Sequence, residues 1–220
     1  MNQTTIDRAR FNMIEQQVRT WDVLDQRVLD TMSTIPREAF VPERYAALAF
    51  ADTHIPLGQG QVMMDPKLEG RLLQALDIKP GDTVLEVGTG SGYLTACLAS
   101  LGRQVTSIDI ISEFTHAAAA KLAAHDYQNV HLETGDALAT PGAGTSYDVI
   151  AVTGSLPVLR REFYQQLNTG GRLFVISGNP PIMEALLITR IGADNWARES
   201  LFETSIPPLL HAPATPVFDF

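Results

Sequence analysis

The segment Glu86-Val87-Gly88-Thr89-Gly90-Ser91-Gly92 constrains the fold of this chain more than any other. It follows Thr83–Val87, a short apolar run of strand character, and precedes Tyr93–Leu101, which reads as a helix. Glycines in such a turn let the chain reverse sharply and let a ligand approach the backbone closely. The pattern is not the dinucleotide fingerprint, which needs a glycine where Tyr93 stands. A strand-to-helix turn with no ligand would leave the same triplet, so the motif must be weighed with its surroundings.

Those surroundings alternate. Strands are predicted at 83–87, 104–108, 130–133, 147–152 and 172–176, with helices over 93–101, 112–125 and 158–167. Ser112 is the expected cap of the Ala-rich helix, and Gly170-Gly171 an expected turn. Two further strand candidates, 185–190 and 198–203, follow with no helix between them. The pattern predicts an α/β fold: a mostly parallel sheet covered on both faces, with an antiparallel edge. Before it, residues 6–35 read as helical, Pro36 and Pro42 break the chain, and 50–66 read as loop. Asp65 is placed to cap a helix beginning at Pro66. Residues 1–78 thus form amino-terminal helices and a loop, and 79–220 the sheet domain, in one compact unit. With 45% hydrophobic residues the chain has enough apolar mass for a single core.

Three acids stand at predicted strand ends. Asp109 comes about 20 residues after the glycine turn, where a carboxylate can accept from ribose hydroxyls. Asp136, in Gly135-Asp136-Ala137, can receive an adenine amino group, and Glu86 can attract an ammonium. Three carboxylates around a phosphate-free pocket suit a cationic nucleoside better than a pyrophosphate, so S-adenosylmethionine is the expected cofactor. Each acid taken alone could also cap a helix or face water.

Other classes are disfavoured. The net charge is −9 and no basic run occurs, so a duplex nucleic-acid partner lacks its electrostatic footprint. The single cysteine, Cys97, lies in an apolar stretch and reads as a buried small hydrophobe. His54, His116, His125, His131 and His211 show no metal-ligand pairing with Cys97 or the acids, and His54 reads as an unpartnered loop histidine. No apolar signal core or membrane-spanning run is present, and the cytoplasm is the expected location.

Several segments together resemble the protein-L-isoaspartate O-methyltransferases. They are MIEQQVRTWDVLDQRVLDTMSTIPREAFVPERYAALAFAD, IPLGQGQ with Pro66, VLEVGTGSGYLTACLA, YDVIAVTGS and LNTGGRLFVISG. The resemblance spans nearly the whole chain and implies a Rossmann-like methyltransferase sheet whose amino-terminal helices help cover the acceptor site. It implies cofactor contacts at Gly88, Asp109, Ile110, Asp136 and Ala137, beside Glu86, Thr89, Gly90 and Gly92 of the glycine turn. After the GQ of the hallmark loop the family carries Thr-Ile-Ser; this chain carries Val62-Met63-Met64 and then Asp65. The family's functional serine therefore falls on Met64. The methyl acceptor implied is an isoaspartyl side-chain carboxylate of a peptide or protein. A more apolar small molecule matched to Val62, Met63 and Met64 is the alternative, as is a binding protein without transferase activity. Asp65 is a helix cap or, for a weakly acidic acceptor, a base. Thr153 and Ser155, after the fourth strand, could replace the lost hydroxyls or simply form a turn.

Overall fold

The computed structural model of the chain describes residues 3–139 and 145–213; the outermost residues of the two expected parts lie outside this range. Its amino-terminal region is helical but interrupted. α1 (Gln3–Met13) runs into a wide turn at Ile14–Val18 and a tight one at Arg19–Trp21, and α2 (Gln26–Thr34) follows. The expected helical stretch 6–35 breaks because Asp22 is left-handed (φ 58°) and Asp25 caps α2, accepting from the Arg27 amide. Pro36 precedes α3 (Arg37–Phe40), and Pro42 a 3-10 turn at Glu43–Leu48.

Residues 50–66, expected to be loop throughout, contain a hairpin. β1 (Ile55–Gly58) pairs antiparallel with β2 (Gln61–Met63) around Gln59 and Gly60, at φ 53° and 74°. Strands this short, carrying Pro56 and Gly58, show turn chemistry and too few residues for an alternation to register. Asp65 then caps α4 (Pro66–Leu76), its Oδ1 accepting from the Leu68 amide at 2.9 Å.

The main sheet is built from β3 (Thr83–Val87), β4 (Gln104–Asp109), β5 (Val130–Thr134), β6 (Tyr147–Leu156), β7 (Leu167–Asn179), β8 (Ile182–Gly192) and β9 (Asn195–Thr204). Their spatial order is β5-β4-β3-β6-β7-β8-β9, parallel from β5 to β7 and antiparallel from β7 to β9. The expected sheet with its antiparallel edge is present, and its later strands are longer than the apolar runs suggested. Gly170-Gly171 is no free turn: Gly170 (φ 82°) sits in a bulge within β7, where pairing shifts between Tyr147↔Leu167 and Val149↔Arg172. Of the helix expected at 158–167 only α7 (Arg161–Gln165) forms, because β7 already begins at Leu167.

The helices divide unequally between the two faces. α5 (Tyr93–Leu101) and α6 (Ser112–Ala124) join α4 and the amino-terminal helices on one side, where Val84, Val105, Val149 and Phe174 point. Leu85, Ile150, Leu173 and Val175 point to the other, against Phe163 of α7. Right-handed crossovers explain the division: β3, β4 and β5 step one way along the sheet, β6 and β7 the other. Met13, Val18, Leu29 and Met32 share a core with α4 and the sheet. Ser112 is not the cap of α6; Ile111 holds that position, its amide bound by Asp109 Oδ1 at 2.9 Å.

Candidate active site

β3 is hydrogen-bonded to β4 on one side and β6 on the other, so the chain order reverses around it. A crevice outside the carboxyl ends of such strands is where ligands bind in open α/β sheets. The glycine turn lies there. Gly88, Gly90 and Gly92 have φ of 99°, 51° and 85°, which only glycine adopts cheaply. The Gly88 amide donates to the Ile108 carbonyl (2.8 Å) and the Gly90 amide to Asp109 Oδ2 (2.9 Å).

Two cavities with a common wall open over this turn. The larger is an open cleft of about 570 Å³, open solvent included. It brings together Val62, Gly88, Gly90, Asp109, Ile110, Asp136, Ala137 and Thr153 of the residues singled out from sequence. The smaller, about 300 Å³, is lined by Val62, Met63, Met64, Glu86, Thr89 and Thr153 among others, and shares Gly88 and Gly90 with the first. Three expected residues fall outside both walls. A β-carbon on Gly92 would lie 2.9 Å from Ala118 Cβ, so this glycine serves the close packing of α5 on α6. The Ser155 hydroxyl is buried and donates to the Ile206 carbonyl at 3.0 Å, turned to the chain's own backbone and not to an acceptor. Asp65 commits Oδ1 to the Leu68 amide and Oδ2 to His54 Nε2 at 3.3 Å, so His54 is partnered after all.

The acids differ in state for local reasons. Glu86 is fully buried, and burial pushes its carboxyl up to about 8 against hydrogen bonds to Oε2 from Ser107 (2.6 Å) and Thr95 (2.5 Å). Its Oε1 is buried with no partner among the described residues. Burial also raises Asp109, although the Gly90 and Ile111 amides favour its ionised form. Asp65 and Asp136 move the other way: partial burial raises each, and hydrogen bonds outweigh it. For Asp136 these come from His211 Nδ1 (2.8 Å) and the Leu138 amide (2.8 Å). The Thr153 hydroxyl donates to the Val87 and Gly88 carbonyls at 3.0 and 2.6 Å, which fixes it against the turn.

Other residues of the site lie outside the motifs legible in the sequence. Arg37 is wholly buried and donates to the Ala49 carbonyl (2.8 Å), the Met64 carbonyl (2.7 Å) and the Glu69 carboxylate, which lines the smaller cavity. Burial raises Glu69 to about 8, opposed chiefly by Arg37. A usable signal existed for Glu69: it sits with Leu68, Leu72 and Leu73 on the apolar face of α4, where an acid calls for a buried partner. Leu209 and Leu210 wall the larger cavity from a strap after β9. The strap is pinned by Ser155 N to Pro207 O and Leu209 N to Ser155 O, both 3.0 Å. Among the described residues no cluster of His, Cys, Asp or Glu could hold a metal ion, and no helix is long and apolar enough to cross a membrane.

Comparison with known proteins fits this geometry. The family model described as protein-L-isoaspartate(D-aspartate) O-methyltransferase matches residues 8–192. A protein-L-isoaspartate O-methyltransferase of Koribacter versatilis is 38% identical over 205 residues, covering 93% of this chain and 91% of that one. Protein-L-isoaspartate O-methyltransferase 1 of Rhodopseudomonas palustris is 36% identical over 208 residues, covering 94% and 85%. Among solved structures, a Plasmodium falciparum chain described as a protein-L-isoaspartate O-methyltransferase in complex with S-adenosyl-L-homocysteine superposes with a TM-score of 0.79. At 18% identity over 93% of this chain and 97% of that one, it establishes the fold. With the family match over most of its length and relatives well above 30% identity, the chain belongs to the protein-L-isoaspartate O-methyltransferase family.

Proposed function

We propose that this chain is an S-adenosylmethionine-dependent methyltransferase that esterifies isoaspartyl side-chain carboxylates in peptides or proteins. The observation that carries the reading is the joined pair of cavities over Gly88 and Gly90, with the unpartnered Glu86 Oε1 at one end and Asp109 and Asp136 at the other. A cationic amino-acid group at Glu86 and a nucleoside along Asp109, Ile110, Asp136 and Ala137 fit these walls. The family supplies the acceptor class, through relatives named for isoaspartate methylation.

S-adenosylmethionine supplies an electrophilic methyl group on a sulfonium. The chain's own residues bind and orient. Gly88 and Gly90 leave the turn without side chains where the ligand would lie against it, and Glu86 receives the ammonium. Leu57, Met63 and Met64 exclude water from the transfer end. An acceptor carboxylate is already a nucleophile with no proton to lose, so the site needs alignment more than a base. That suits a site in which Asp65 is occupied as a helix cap. With Val62 and Met64 where the family has hydroxyls, alignment falls to backbone amides of the hairpin end.

Calorimetric titration with S-adenosylhomocysteine, together with methyl-ester formation on an isoaspartyl peptide and its normal aspartyl counterpart, tests both halves. Binding and ester formation confined to the isoaspartyl peptide are expected. Binding with no ester on either peptide would remove the acceptor assignment, and absence of binding would remove the whole reading.

A further inference from the structure

The smaller cavity is lined by two buried carboxyl groups, and one guanidinium lies behind them, paired with Glu69. Glu69 and Glu86 are 2% and 0% exposed, and both line it. Arg37 pairs with Glu69, while among the described residues Glu86 has only the hydroxyls of Thr95 and Ser107, both on Oε2. The acids nearby are satisfied otherwise: Asp109 by the Gly90 and Ile111 amides, Asp65 by the Leu68 amide and His54. The cavity is therefore one cation short of neutrality when both glutamates are ionised. Buried charges persist only when paired, so the missing partner is a small monocation able to reach between them.

We propose that Glu69 is a second cofactor-positioning carboxylate, which with Glu86 clasps the α-ammonium of the amino-acid end of S-adenosylmethionine. The inference rests on the cofactor reading above and deepens it. Bound there, the ammonium completes an alternation of charge: Arg37 positive, Glu69 negative, ammonium positive, Glu86 negative. Arg37 contributes from behind. One of its nitrogens holds Glu69 and another holds the Met64 carbonyl, so one guanidinium sets both the ammonium's partner and the end of the acceptor hairpin. No covalent bond is made or broken in this step; the ammonium supplies a counter-charge for groups that burial otherwise drives toward the neutral acid, and the protons they give up pass to solvent.

Two ligands separate this from a structural role: S-adenosylhomocysteine and its analogue lacking the α-amino group, each titrated calorimetrically into the full chain. Glu69→Gln should weaken the amino-bearing ligand by about tenfold to a hundredfold, the range for a hydrogen bond between charged groups. It should leave the deaminated analogue within about twofold, and that binding also reports an intact fold. Because Glu69→Gln strands a buried guanidinium, the double variant Arg37→Gln/Glu69→Gln removes both charges together and should show the same selective loss. Equal weakening of both ligands in the double variant, or no weakening of either, overturns the proposal while the cofactor reading stands. If the unaltered chain binds neither ligand, the cofactor reading itself is what has failed.

Discussion

Gly88→Ala puts the geometry of the turn to a quantitative test. Gly88 has φ 99°, and a β-carbon built on it lies 2.2 Å from Thr153 Oγ1. That oxygen is not free to move, since it donates to the Val87 and Gly88 carbonyls. Two separable penalties follow. A left-handed backbone costs a non-glycine residue about 1–2 kcal/mol. Overlap with a fixed atom costs about 1–3 kcal/mol more, so the variant should lose roughly 2–5 kcal/mol, a large part of a domain's stability. Thr153→Ala alone removes one hydroxyl donor and should cost about 0.5–1.5 kcal/mol. In the double variant the overlap is gone, because the next contacts of the new β-carbon, Thr153 Cβ at 3.6 Å and Leu209 Cδ2 at 3.7 Å, are ordinary. The double variant should therefore be more stable than the sum of the singles predicts by about 1–3 kcal/mol. Equilibrium urea unfolding of the four proteins, with m values checked for constancy, measures this coupling. Additivity within about 0.5 kcal/mol would refute the steric argument and leave the backbone dihedral as the sole reason for glycine.

Glu86→Gln addresses the buried carboxyl. In the folded chain it titrates at about 8, above its ordinary 4.5, so its contribution to stability is full below about pH 4.5 and is lost as pH rises through 8. Glutamine still accepts from Thr95 and Ser107 but does not titrate. Thermal melting should show the variant more stable than the unaltered chain at and above pH 8, by on the order of 1–3 kcal/mol, with weaker S-adenosylhomocysteine binding. Parallel pH profiles would contradict this. Met64→Ser restores a hydroxyl where the family has one. It should raise kcat/KM on an isoaspartyl peptide about tenfold, the lower bound for a hydrogen bond to a charged group, and cost about 2–4 kcal/mol of stability by truncating a buried side chain. An unchanged rate would show that Met64 does not stand where the acceptor is aligned.

The sheet was legible because its strands are apolar runs separated by helices, and local periodicity suffices to see them. The glycine turn was legible for a similar reason: three residues with positive φ leave a mark in the sequence itself. What stayed hidden depends on distant partners. Arg37 and Glu69 are 32 positions apart, and each alone resembles a surface charge. Ser155 looked like a spare donor until β6 proved long enough to bury it against Ile206. The β1–β2 hairpin was too short for alternation, and Asp22 broke the first helical stretch with no proline to announce it. The family resemblance implied a role for Asp109 and Asp136, but not that Asp136 would be paired with His211 from beyond the matched residues 8–192.

That last pairing ties the cleft to chain that lies beyond the sheet. Leu209, Leu210 and His211 follow all seven strands of the main sheet in the order of synthesis, yet two of them wall the larger cavity and the third holds an acid at its edge. Without this strap the cleft would lack one side and lie open to solvent. Its shape therefore depends on a segment outside the sheet, held to it through the backbone of Ser155 and the side chain of Asp136.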